Sequence, residues 1–178
     1  MKDPLPEVKL GYRAAPGQPR MYIYIVLLFM AVLPVGSIAV EHTALHASAP
    51  LVALAGKWFV FWSMGVRLLT AGLRQIAQPA FTAKTILGIH GDEALVLVQE
   101  LGFANMAMGF FGCLTLLQPS WILPAAIVGG VFYALAGGKH LTEKNKGFNE
   151  VVAMASDLLM AAVLLGYLAW TVFTPLPR

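Results

Sequence analysis

Arg67, Glu100 and Asp157 each interrupt a long apolar run, and among the residues of this sequence they have the clearest capacity for chemistry. Inside lipid a lone charge near a helix centre costs about 2.5–3.5 kcal/mol on insertion scales, so such residues turn inward and find partners. A guanidinium offers a planar fork of N–H donors that can serve two carboxylates at once. One cation against two acids leaves a formal charge of −1, which suits a proton or cation site, or an anchor for the polar head of a ligand. The same groups, fully paired, can equally do no more than set helix register. Asn105 adds an amide able to hydrogen-bond to another helix, a contact worth about 0.6–2 kcal/mol. On a helix Gln99 and Asn105 are turned by about 100° and 140° from Glu100, so the three do not share a face.

These residues can meet only if the helices that carry them do. Crossing a bilayer takes about 20 apolar residues, and the sequence has five such runs, at 21–40, 51–73, 94–117, 121–138 and 150–173. The expected fold is all-α: a transmembrane bundle of five spans forming one domain over 21–178, preceded by a proline-rich tail at 1–20. The 178 residues are 58% hydrophobic and 12% charged, against about 45–50% and about 25% in soluble domains. Ser37 and Ala39 have the spacing of a signal-peptide cleavage site, but the polar leader before the first apolar run is long, so that run reads as an uncleaved anchor. If residues 73, 94 and 150 mark the same membrane face, all three charges lie about 9–11 Å deep. The expected cluster is Arg67 paired with Glu100, with Asp157 joining them or standing as an extra acid.

Lysines and arginines give the expected orientation. Lys2, Lys9, Arg13, Arg20, Arg74, Lys84, Lys139, Lys144 and Lys146 fall on one side of a five-span arrangement, and Arg178 alone falls beyond the last span on the other. The positive-inside rule then puts the N-terminus in the cytoplasm and the C-terminus outside, in a bacterial cytoplasmic (inner) membrane crossed several times. The net charge of +3 and pI near 9.1 follow from that asymmetry, and no nucleic-acid motif accompanies them. Gly102, Ala104, Ala107, Gly109 and Gly112 in the third run, and Gly129, Gly130, Ala134, Ala136, Gly137 and Gly138 in the fourth, allow close helix packing. Gln118-Pro119-Ser120 reads as a tight turn that pairs runs three and four as a hairpin. The 74–93 connection reads either as a short interfacial helix or as a plain connector.

Other groups carry weaker signals. His42 and His46 are four apart and would share a face if the first helix ran through both, making them weak metal candidates; no metal is otherwise expected. Glu150 lies seven residues before Asp157, and with Asn149 and His140 it could form a cytoplasmic access path to the buried charges. Asn149 also reads as the N-cap of the last helix, with Glu150 complementing its positive end. Lys57 reads as a snorkelling residue beside Trp58. Cys113, the one cysteine, reads as a packing residue. No nucleotide-binding loop, nucleophile elbow or zinc-protease motif occurs.

The stretches KWFVFWSMGVRLLTAGLRQIAQPAFTAKTILGI, QELGFANMAMGFFG and ALAGGKHLTEKNKGFNEVVAMASD resemble a bacterial polytopic membrane family of unknown function, over about residues 50–165. The resemblance implies a five-helix fold and no particular reaction. A fainter likeness to DoxX-type small membrane proteins rests on size and helix count, and implies a redox or quinone-linked role. Three readings of function follow. The first is a non-catalytic, oligomer-forming or auxiliary subunit of a membrane complex, in contact with lipid and with copies of itself or other membrane subunits. The second is a proton- or cation-coupled carrier or channel using Arg67, Glu100 and Asp157. The third is a membrane enzyme acting on a quinone or lipid. No cofactor is expected in the first two; a quinone or lipid would serve the third.

Overall fold

The computed structural model describes residues 19–86, 91–142 and 146–174. The tail at 1–18, and with it the expectation of an extended proline-rich arm, lies outside the described residues. Five helices are long and apolar enough to cross a membrane, and no strand occurs among the described residues. They are α1 (Tyr22–Ala44), α2 (Leu51–Ala77), α3 (Glu93–Leu114), α4 (Ile122–Thr142) and α5 (Phe148–Phe173). The five-span all-α reading of the sequence is therefore correct, with shifted ends. α2 continues to Ala77 and α4 to Thr142, which places His140 on a helix rather than in a loop. α3 stops at Leu114, where Leu117 and Gln118 bond back to the Leu114 carbonyl.

The helices pack as two pairs, α2 with α3 and α4 with α5, and not with α3 and α4 as a hairpin. The cause lies in the glycines of α3. A Cβ on Gly109 would collide with the Leu69 amide nitrogen, and one on Gly112 would fall 2.7 Å from the Gly65 Cα. One on Gly102 would fall 3.1 Å from the Gly72 carbonyl oxygen. Backbone therefore touches backbone along the α2–α3 seam, which only small residues permit. In the α4–α5 pair the neighbours are side chains: Gly130 receives Leu165 and Gly137 receives Leu158. Met64 and Leu68 of α2, Tyr133 of α4, and Met160 and Leu164 of α5 fill the central core, with Val26 and Met30 from α1.

Two helices contain π-helical turns, at Leu28–Val32 and Val40–Ala44 in α1 and at Val60–Val66 in α2. The last ends where Arg67 begins. A π turn lengthens the backbone hydrogen-bond step and leaves carbonyls for other donors. Here Phe59 and Ser63 supply them: the Ser63 hydroxyl donates to the Phe59 carbonyl, and the Ser63 carbonyl accepts from Tyr133. Between α2 and α3, a helical turn at Phe81–Ile86 buries Thr82 and Ala83, with Ala83 against Ala94 and Val98. The first two turns of α3 thus run past the end of α2.

Candidate functional site: a buried polar network and a bare carboxylate

Arg67 and Asp157 come together, whereas Glu100, the expected partner of Arg67, does not join them. The Arg67 guanidinium stands 3.9 Å from an Asp157 carboxylate oxygen, with 17% and 9% of the two side chains exposed. That is within charge–charge range but longer than a direct hydrogen bond. Arg67 Nη1 donates to the Tyr133 hydroxyl at 3.2 Å, and its Cζ lies 5.6 Å from the Tyr133 ring centre. Tyr133 is fully buried and its own hydroxyl donates a hydrogen bond to the Ser63 carbonyl. Tyr22 of α1 neighbours both Arg67 and Asp157, and His140 in the last turn of α4 neighbours Asp157. One guanidinium, one carboxylate, two phenols and an imidazole from four helices make up the network.

Sequence reasoning missed Tyr133, Tyr22 and Ser63. The signal for Tyr133 was present: a phenol in the middle of a glycine-rich apolar run must find a hydrogen-bond partner once buried. The π turn that frees the Ser63 carbonyl has no comparable sequence signature.

The expected Arg67–Glu100 pair is corrected. Glu100 is exposed, and the glycine contacts show why. Gly109 and Gly112 seat on Leu69 and Gly65, so Arg67 lies level with residues 109–112 of α3. Glu100 lies nine residues below Gly109, roughly 14 Å along the axis. Taking Leu73 and Ala94 as level ends produced the error, because α2 runs on to Ala77 while the start of α3 lies against the 81–86 turn. Glu100 also faces away from α2, since it is turned by about 200° from Gly102 and by about 140° from Asn105, which point into the seam. Exposed Val96, Leu97, Leu101 and Phe103 surround it.

Asn105 is buried and its amide donates to Gln75 Oε1 at 2.9 Å across that seam. Its Oδ1 meets no hydrogen-bond partner among the described residues. The last helix begins differently from the expectation. Gly147, not Asn149, is the N-cap, and its N–H donates to Glu150 Oε2 at 2.6 Å. Glu150 is thereby engaged in capping, and the side chain of Asn149 lies outside what the structure describes. The helical face proposed for His42 and His46 does not form. α1 ends at Ala44 and His46 adopts a left-handed φ of 51°. No group of three metal-ligating side chains occurs among the described residues.

A second polar set closes the other end of the α1–α2 pair. Lys57 Nζ reaches both Glu41 oxygens at 2.8 Å, and Trp58 Nε1 donates to Glu41 Oε2 at 2.6 Å. One helical turn inward, Trp62 Nε1 donates to the Ser37 hydroxyl at 2.9 Å. Lys57 is therefore paired rather than simply snorkelling. Sequence distance hid this: Glu41 and Lys57 are separated by the 45–50 loop.

The five-helix architecture fits a multi-pass membrane protein. No curated protein and no solved structure matches the chain. The family model of DUF6790, a family of unknown function, matches residues 20–174, and the chain belongs to that family.

Proposed function

We propose that this protein is a non-catalytic membrane subunit that works in an assembly, in the cytoplasmic membrane of a bacterium with its N-terminus inside. The observation that carries the reading is Glu100: an ionisable group within an exposed apolar helix face, with Val96 and Leu97 on one side of it and Phe103 on the other. A carboxylate in that setting is costly in lipid and is relieved by a partner in the membrane. The lysine and arginine asymmetry supports the orientation. The test is a native mass spectrum of the protein gently extracted from its own membrane. A mass holding further copies or other polypeptides is expected; a bare monomer overturns the reading.

A second reading, proton- or cation-coupled transport, draws on the Arg67 network. We read Arg67 and Asp157 there as a buried ion pair. With Glu100 elsewhere, one guanidinium balances one carboxylate, and the set has no spare negative charge to offer a cation. His140 lies within electrostatic reach of Asp157. If the network transports, Asp157→Asn abolishes flux in vesicles while the bundle stays folded; a folded variant with undiminished flux removes this reading.

A further inference from the structure

Arg74 and Glu100 stand on opposite faces of the α2–α3 layer at nearly the same depth. The depth follows from Gly102, which packs against Gln75, Ile76 and the Gly72 carbonyl, and so sets residue 100 close to the level of 74–76. The facing follows from helix geometry. Gly72 and Ile76 point into the α2–α3 seam, and Arg74 is turned by about 160–200° from both. Arg74 is exposed, together with Thr70, Leu73 and Ala77 on the same side of α2. Its guanidinium rests 4.0 Å from the centre of the Phe81 ring, an exposed cation–π contact that an ion pair can replace. Glu100 is likewise exposed, on the far side of α3.

Copies of a membrane protein share one depth and one orientation, and can differ only by translation and by rotation about the membrane normal. A two-fold contact through α3 would set Glu100 against Glu100. A head-to-tail contact sets Glu100 of one copy against Arg74 of the next, at matching depth, without tilting either. We propose that this protein self-associates head to tail, the α3 face around Glu100 docking on the α2 face around Arg74 of a second copy. Two cations deeper in the helices are already engaged, Lys57 by Glu41 and Arg67 by Tyr133 and Asp157. Such a heterologous contact makes a ring where its rotation closes. The inference rests on the assembly reading and gives it a partner.

The test is a charge exchange in the full chain, read by native mass and by cross-linking in the membrane. Glu100→Arg and Arg74→Glu should each reduce the oligomer by about tenfold or more, and the double exchange should restore it. In a Cys113→Ser background, Leu73→Cys and Phe103→Cys on separate co-expressed copies should cross-link to each other, and neither alone should. A cross-link from Phe103→Cys by itself means a two-fold contact and overturns the proposal. So does an oligomer insensitive to both charge reversals, or a double exchange that fails to restore it while both single variants remain folded. A wild-type chain found only with other polypeptides also overturns it but leaves the assembly reading standing; a wild-type monomer removes both.

Discussion

Asp157 lies inside the bundle with Arg67 at 3.9 Å and phenols from α1 and α4 beside it, whereas Glu100 lies on the outer face of α3 among Val96, Leu97 and Phe103. Both are carboxylates in apolar helices, and both stand about two turns from a helix start. They differ in level, since Asp157 stands beside Arg67 and Glu100 lies roughly 14 Å further along the axis, and they differ in the seam on which each helix packs. α5 meets α4 through leucines that fill glycine notches, and this leaves Asp157 facing the centre. α3 meets α2 through backbone contact on a single glycine face, and Glu100 with Val96, Leu97 and Phe103 is left outside. A charge in a membrane helix is thus enclosed or left outside by which face of its helix packs, and its distance from the helix start alone says neither its level nor whether it is enclosed.

The largest effect should come from dividing the enclosed pair. Arg67→Met leaves Asp157 buried without its cation and should cost about 3–5 kcal/mol. Adding Asp157→Leu to that variant should recover more than half of the loss, because an apolar pair of similar volume removes the stranded charge. Reversible unfolding in mixed micelles measures both. If the double variant is no better than the single, the two residues do not act as a unit, and Asp157 is no more a paired group than Glu100.

A smaller effect tests the seam that keeps the two carboxylates apart. Gly109→Ala forces a methyl into the Leu69 backbone and should cost about 1–3 kcal/mol because neither helix can yield a side chain. Gly138→Ala is the control. A Cβ there meets nothing within 4 Å, and the change should be neutral or up to about 1 kcal/mol stabilising through helix propensity. Equal responses in thermal unfolding would mean that backbone contact does not fix the α2–α3 register.

Much of this arrangement was readable from composition and spacing. Five apolar runs gave five helices, while the distances to helix ends put Arg67, Glu100 and Asp157 at one level with Glu100 as the expected partner of Arg67 and Asp157 either joining them or standing apart. Gly102, Gly109 and Gly112 were marked as close-packing residues, but which helix they approach is a three-dimensional fact. That missing fact is what misplaced Glu100: an end assigned at Leu73 rather than Ala77, and a start of α3 that runs past its neighbour, shift the register by several turns of helix. Tyr133 carried a legible signal as a phenol in an apolar run. Its acceptor, the Ser63 carbonyl, depends on a π turn that hydrophobic periodicity does not report. The Glu41–Lys57 contact joins residues on either side of a loop, and neither one alone announces the other.

The smallest effect discriminates most sharply between the two carboxylates. Glu100→Gln removes the charge and keeps the shape. In the dissociated chain, in detergent, it should change stability by no more than about 0.5 kcal/mol, the range of a surface substitution that touches no partner. Its only consequence should then appear on association. A loss above about 1 kcal/mol in the isolated chain would mean that Glu100 is held by a group of its own chain. The carboxylate would then need no neighbour in the membrane, and the case for an assembly through α3 would lose its physical basis.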